Sequence, residues 1–266
     1  MSAGHLTDPD PAATLRKDPH LSHSRIGRYL LCPEQYRLYY VENLRPRFPA
    51  ASMIFGQFVH QALAHLFRTG SDPVKWFLGE WDDVKDLQLT YSARESWEKL
   101  ALTGQSLLET FVEEDAPKLR NVTKVEQPFS LRVTGLDLPL VGVIDLVAEL
   151  DGKSTVVDFK TSGSSYESHE AGMSDQLTAY QLAEPSVEQA ALCVLVKTKE
   201  PRIEWHVTQR TGGQLVEYLE KVGLVAQDIA DRRFYKRPGK WCSWCDFLPV
   251  CTGDTRQAEA SLKRAA

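Results

Sequence analysis

The chain has 266 residues, 42% of them hydrophobic and 25% charged, and a formal net charge of −5, which is the make-up of an ordinary globular protein long enough to bury a core. No apolar run is long enough to span a bilayer, and the N-terminus lacks the apolar centre of a signal peptide, so a membrane protein is excluded and the cytoplasm is expected. The acidic balance gives a nucleic-acid partner no general support and leaves room for one only through a local basic groove.

In chain order, residues 1–21 are rich in Pro, Asp and Ala and read as a disordered tail. Ser22 or Ser24 caps a helix that runs to Leu31, and Pro33 opens a second helical stretch to about Val41. Apolar residues at helical spacing then fill MIFGQFVHQALAHLFR (53–68) and most of 91–113, so residues 22–115 form a mainly helical cap. From about Val122 the pattern changes to strands over 122–133, 138–150 and 154–161. A helix from 173 to 184, strands over 189–197 and 202–208 and a helix from 212 to about 232 follow. This order predicts an α/β core over 116–235 beneath the cap, in one domain spanning 22–252, with 236–252 as a cysteine-bearing segment and 253–266 as a C-terminal tail.

The second and third strands, GVIDLVAELDGKSTVVDFKTS (142–162), form a hairpin about the turn at Asp151-Gly152. Charges at Asp145, Asp158 and Lys160 are out of place in strands this apolar, because a buried carboxylate is costly unless paired or bound to a cation. Asp158 and Lys160, two residues apart and therefore on one face, can make a plain ion pair at a strand end. A divalent metal would serve both aspartates. Two further features stand alone as ordinary helix-face residues: His60, one turn after Gly56 in GQFVH, and Gln176 with Tyr180 at i, i+4 in DQLTAYQ.

Five cysteines in a chain expected to be cytoplasmic suggest metal or redox chemistry before disulfides. Cys242, Cys245 and Cys251 crowd into KWCSWCDFLPVC, where C-x₂-C is a metal-ligand spacing and a third thiol follows six residues on. Cys32, in LLCPEQY, is the candidate fourth ligand, since Cys193 lies in the apolar run AALCVLV and reads as core. Basic residues gather at Arg25 and Arg28, at Arg37, at Arg45 and Arg47, and at Arg232, Arg233, Lys236, Arg237 and Lys240. Such runs are usually solvated faces.

Taken together, GQFVH, GVID, VDFKT and DQLTAYQ, in that order, resemble the RecB-like branch of the PD-(D/E)xK nucleases. Cys32 with the three-cysteine cluster resembles that branch's iron–sulfur members, such as the CRISPR spacer-acquisition nuclease and exonuclease V. The resemblance covers roughly residues 22–252 and implies a restriction-endonuclease-like mixed sheet flanked by helices, with the cysteine cluster joining the two ends. It further implies that Asp145, Asp158, His60 and the backbone carbonyl of Phe159 bind Mg²⁺ or Mn²⁺. Lys160 would orient the attacking water, and Gln176 and Tyr180 would position the metal site or the nearby phosphate. Glu126, in KVEQPF, matches more loosely an acidic position of the branch. Cys32, Cys242, Cys245 and Cys251 would hold a [4Fe–4S] cluster, with structural Zn²⁺ as the alternative, and Trp241, Trp244 and Phe247 would shield it or stack on DNA.

The implied activity is metal-dependent hydrolysis of DNA, most readily as a single-strand exonuclease in repair or recombination. A nuclease that trims prespacers in CRISPR adaptation is the neighbouring reading, and a non-catalytic iron–sulfur DNA-binding module is the reading of another class. No G-x-x-x-x-G-K-[ST] phosphate loop occurs in the chain, so single strands, frayed ends or a separate helicase or integrase are the expected partners.

Overall fold

The computed structural model describes residues 12–198 and 200–265. Residues 1–11 of the expected tail lie outside them. Of residues 12–21, also expected to be disordered, Ala12, His20 and Leu21 are buried, and Leu21 joins the sheet: it bridges to Leu140, its N–H donates to the Pro139 carbonyl, and its own carbonyl accepts from Val141.

The first helix, α1 (His23–Leu31), is capped by Ser22, whose hydroxyl accepts from the Arg25 N–H, and ends at Cys32 in an extended conformation. That conformation follows from Pro33, which disfavours a helical residue before it and then serves as the first residue of α2 (Pro33–Tyr36). The chain continues in widened turns to Val41 and enters a short strand, β1 (Leu44–Pro46). Helix α3 (Ala51–Thr69) ends on Gly70, a left-handed C-cap with φ 71°. Asp72 and Pro73 at once start α4 (Pro73–Asp83), a helix the apolar spacing does not single out. Ser96 caps α5 (Trp97–Thr110), so the helix expected from residue 91 begins six residues later.

Five strands then build the sheet: β2 (Leu119–Leu131), β3 (Leu140–Leu150), β4 (Lys153–Ser162), β5 (Gln189–Val196) and β6 (Arg202–Thr208). Their spatial order is the sequence order. The β3–β4 turn uses Asp151 and Gly152, both at positive φ, as a two-residue hairpin turn requires. Only β4 and β5 run parallel. A parallel pair needs a crossover, supplied by α6 (Ser168–Gly172) and α7 (Asp175–Ala183).

One sheet face packs on α3, α4 and α5 through Phe55, Phe58, Trp81, Phe111, Leu146 and Phe159. The other carries Ile144, Val156 and Leu192, packed against Leu177 and Tyr180 of α7. Each fully buried aromatic of this kind contributes on the order of 2 kcal/mol through the water it excludes. Every residue of β5 is buried, which fits a strand covered on both faces, and Cys193 is core as expected. The sheet with helices on both faces is the α/β architecture the sequence predicts.

Helix α8 (Gly212–Ala230) joins α1 in a third cluster around Tyr29, Tyr36 and Tyr218. After a short helix, α9 (Leu248–Thr252), the residues expected as a C-terminal tail form α10 (Thr255–Ser261) and β7 (Leu262–Arg264). β7 pairs antiparallel with β1, and Leu262 packs on Leu38 and Phe247. Strand pairing between the two ends of a chain leaves no signature in a local stretch of sequence.

Candidate active site

The buried middle of β4 runs from Thr155 to Phe159, and within it Asp158 is completely buried, with Lys160 next on the same face. The β3–β4 ladder pairs Leu146 with Val157 and stops there. The next residues in line are Asp145 and Asp158, so the two carboxylates face each other where the strands part. On the far side of β3, the pairs Val125↔Leu146 and Gln127↔Ile144 set Glu126 level with Asp145. Glu126 has φ 46°, a left-handed conformation uncommon for a residue of its kind in a strand. Its carboxylate is 2.9 Å from Arg68.

Four side chains close a ring that begins and ends on Asp158. Lys160 Nζ donates to Gln176 Oε1 at 2.8 Å, Gln176 Nε2 donates to the Tyr180 hydroxyl at 2.8 Å, and that hydroxyl donates to Asp158 Oδ1 at 3.3 Å. Asp158 Oδ2 lies 2.7 Å from Lys160 Nζ. The i, i+4 spacing on α7 thus puts Gln176 and Tyr180 on one face, toward the strand pair. Asp145 is held separately: its Oδ2 accepts from the Phe159 N–H at 2.9 Å and lies 3.4 Å from His60 Nδ1.

His60 reaches the sheet because α3 comes close to β4. A Cβ on Gly56 would stand 3.1 Å from Thr161 Oγ1, so the glycine sets the approach one turn before the histidine. The sequence GQFVH therefore has a packing reason for its first residue as well as a chemical one for its last.

The charges answer one another. Burial pushes Asp158 above the ordinary carboxylate range, against the pull of the Lys160 ammonium and with the help of the Asp145 charge. Burial acts on Asp145 too, but His60 and Lys160 outweigh it and hold that carboxyl below its usual value. His60 is disfavoured as a cation by burial, yet Asp145 prevails and raises it. Burial drives Tyr180 well up, which keeps its hydroxyl a donor. Glu126 is raised by burial, with Arg68 opposing, and feels both Asp145 and His60. All the residues singled out in the sequence near this hairpin, Glu126 included, therefore share one electrostatic neighbourhood.

Among the described residues, no group of three or more His, Cys, Asp or Glu side chains is arranged to hold a metal ion. The ligand spheres expected from the sequence, carboxylate–imidazole and four-cysteine alike, are thus not assembled. At the hairpin the reason is visible: Lys160 and His60 lie on the oxygens a cation would use. The donor chemistry nonetheless fits a hard divalent ion. Asp158 Oδ2 is a buried acceptor whose partner is the Lys160 ammonium at 2.7 Å, and Asp145 presents a second carboxylate opposite it, an oxygen-rich pair of the type Mg²⁺ and Mn²⁺ take.

The cysteines form no disulfide and, apart from buried Cys193, are half-buried. Cys251 is raised by burial, and the charges of Cys245 and Cys32 act on it, so the two ends of the chain do meet here. Gln35 Nε2 donates to Cys245 Sγ at 3.3 Å. Phe247 is buried beside Leu38, whereas Trp244 is 72% exposed.

A cavity of about 770 Å³ opens onto Asp145, Lys160, Gln176 and Tyr180. Its other wall carries Arg25, Arg28, Arg45, Tyr39 and Tyr40. In the sequence these arginines are only weak basic clusters, and the tyrosines carry no assigned role. The pairs Arg25/Arg28 on one helix and Tyr39-Tyr40 after the next are the signal that points to them.

A family model described as the PD-(D/E)XK nuclease superfamily matches residues 20–252. A crystal structure from Eubacterium rectale, described as a "putative exonuclease", shares the fold with a TM-score of 0.55 at 12% identity, covering 94% of this chain and 87% of that one. The crystal structure of SSO0001 covers 74% of this chain and 83% of its own at 18% identity, with a TM-score of 0.36 too low to bear on the fold. No curated protein sequence matches the chain significantly.

Proposed function

The chain belongs to the PD-(D/E)XK nuclease superfamily, and on that footing we propose that it is a metal-dependent DNA exonuclease of the RecB-like branch acting on single-stranded or frayed DNA. The observation that carries the reading is the pair Asp145 and Asp158, opposed where the ladder stops, with Lys160 held beside them. Asp145, Asp158, His60 and the Phe159 carbonyl would hold Mg²⁺ or Mn²⁺. When bound, the ion would lower the pKa of water and offset charge on the phosphate.

The chain's own groups do the positioning. Lys160, held by Gln176 and Asp158, points a fixed cation toward the cavity, where it orients water and meets charge developing on the scissile phosphate. Gln176 and Tyr180 fix Lys160 and Asp158 relative to one another. Glu126 flanks Asp145 from the neighbouring strand. We take residues 22–252 as one nuclease domain and assign it to the cytoplasm. No helix of the described residues is long and apolar enough to cross a membrane.

Incubating the protein with end-labelled single-stranded DNA and Mn²⁺, Mg²⁺ or chelator tests the reading. Cutting is expected with both ions, equal or better with Mn²⁺, and none in chelator. Cutting in chelator would overturn the metal mechanism, and a product ladder reports the direction of digestion.

Gly56 supplies a second test. Gly56→Val should lower turnover about tenfold or more by pushing His60 away from Asp145, since displacements near ~1 Å carry costs of that order. The smaller Gly56→Ala should be partly rescued by Thr161→Ala, which removes the atom in the way. Equal activity in Gly56→Val would show that His60 needs no exact placement.

We also propose that Cys32, Cys242, Cys245 and Cys251 bind a [4Fe–4S] cluster, or Zn²⁺ in its place. The reading is supported by the electrostatic proximity of Cys32, Cys245 and Cys251. Such a group would tie α1 and α2 to the C-terminal segment, closing nearly the whole chain into a loop. Anaerobically purified protein should contain about four irons and four sulfides per chain, and Cys251→Ser should lose them together with thermal stability. Stoichiometric zinc would select the alternative, and neither metal would end the proposal.

A further inference from the structure

The sequence contains several sets of basic residues, and the fold uses most of them locally. Arg37 pairs with Glu34 and Glu42, and Arg233 pairs with Asp228 and Asp231. Arg47 donates to the Glu259 carbonyl, Lys236 to the Cys251 carbonyl and Arg237 to the Leu30 carbonyl. Arg25, Arg28 and Arg45 differ. All three line the cavity that opens onto Lys160 and Asp145, and among the described residues none forms an ion pair with a carboxylate.

Their guanidiniums are held by rings instead. Arg28 lies 3.9 Å and Arg45 3.5 Å from the centre of the Tyr39 ring, and Arg25 lies 4.4 Å from that of Tyr40. Arg45 also donates to the carbonyls of Tyr39 and Leu44. Arg25 reaches the Tyr36 hydroxyl only at 3.5 Å. Asp246 feels the charge of Arg28 without pairing with it. Stacking fixes the plane of a guanidinium while leaving its N–H edge free, which is the arrangement suited to phosphate. An acidic protein that keeps three cations unneutralised in one pocket is holding them for an anion.

Phe129 and Val143, beside Gly142, add a smaller apolar patch to a lining that is otherwise mostly polar. A Cβ at Gly142 would stand 2.5 Å from the Phe129 ring, so the glycine keeps that ring seated along the cavity side of β3. The slot therefore offers three guanidiniums, the polar groups of the site and one apolar patch. Its volume of about 770 Å³ is that of a small-molecule pocket, with room for one or two nucleotides.

We infer that this slot is the subsite for a single DNA strand entering the active site, with Arg25, Arg28 and Arg45 on its phosphates and its bases against Phe129 and Val143. Tyr39 and Tyr40 are positioning residues that orient the arginines. The inference rests on the nuclease reading for the identity of the strand, but its test does not require cutting.

Fluorescence anisotropy with a labelled oligothymidylate, in chelator, measures binding by the full chain. Arg28→Ala is expected to weaken binding about fivefold to tenfold, and Arg25→Ala/Arg28→Ala to lower the slope of log K against log salt by about 0.7 for each phosphate no longer neutralised. Tyr39→Phe, which keeps the stacking face, should bind as wild type, and Tyr39→Leu should lose most of what Arg28→Ala loses. A blunt duplex of equal length should bind at least about tenfold more weakly than the single strand. Unchanged affinity and salt slope in the double variant would overturn the subsite, and equal duplex binding would overturn its restriction to single strands.

Hydrolysis of bis(p-nitrophenyl) phosphate with Mn²⁺, a substrate too short to span the slot, separates the two readings. Retained hydrolysis with lost oligonucleotide binding supports both. Weakened binding in a protein that hydrolyses no phosphodiester would leave the strand subsite standing and remove the nuclease reading.

Discussion

Asp158→Asn should reduce cleavage of end-labelled single-stranded DNA by at least about 10³-fold while leaving the fold nearly as stable as before. The activity follows from the charge: asparagine keeps the shape and one acceptor but gives up the carboxylate opposite Asp145. The stability follows from what is left behind. Without the carboxylate, Lys160 still donates to Gln176, and its side chain is 30% exposed, so water can take up the solvation that Asp158 provided. A change in unfolding free energy of less than about 1 kcal/mol is expected from denaturant titration. A collapse in stability would mean that Asp158 serves the fold first, and wild-type cleavage would remove it from the mechanism.

Lys160→Met should have the opposite balance. It removes the cation from a carboxylate that is wholly inaccessible, so the remaining charge has no solvent to turn to and keeps only the Tyr180 hydroxyl on Oδ1. Breaking a buried pair on this side costs about 3–5 kcal/mol, a fall in melting temperature of roughly 10 °C for a chain of this size. Burial already holds Asp158 above the ordinary carboxylate range with the lysine present, and its loss pushes further the same way. A carboxyl whose folded pKa exceeds its unfolded one gains relative stability as pH falls through the folded value. The deficit of the variant should therefore narrow as pH falls toward the ordinary carboxylate range. Mn²⁺ should narrow it as well by supplying the missing positive charge. A variant as stable as wild type at neutral pH would show that the lysine is not what makes the buried aspartate tolerable.

The two variants differ because ion-pair partners are seldom equally buried, and that difference is not legible in the spacing of Asp158 and Lys160. Their spacing shows only that they share a face. The same holds at Gly56, where the chain offers a glycine one turn before a histidine and only the distance to Thr161 explains it.

Local patterns decided much. Apolar, β-branched runs and the Asp151-Gly152 turn place the β3–β4 hairpin within a residue or two, and the apolar run of β5 marks Cys193 as core. Ser22 and Pro33 mark helix starts through effects confined to one turn. These are short-range effects, and a short window contains their causes. The order of GQFVH, GVID, VDFKT and DQLTAYQ carries the family for the same reason, since each motif keeps its chemistry on one element.

Tertiary structure decided what depends on elements far apart in the chain. It brings β7 against β1, joining the two ends of the sequence, where residues expected as a tail supply a strand. It spends Arg37, Arg47, Arg233, Lys236 and Arg237 on nearby acids and carbonyls, and leaves Arg25, Arg28 and Arg45 stacked on tyrosines over the cavity. A charge in the sequence says nothing about its neutralising partner, because Coulomb energy depends on distance in space and on exclusion of water. For this protein, the residues able to do the chemistry are written in four short motifs, and the surface that feeds them exists only once α1, the turns after α2 and the sheet are folded against one another.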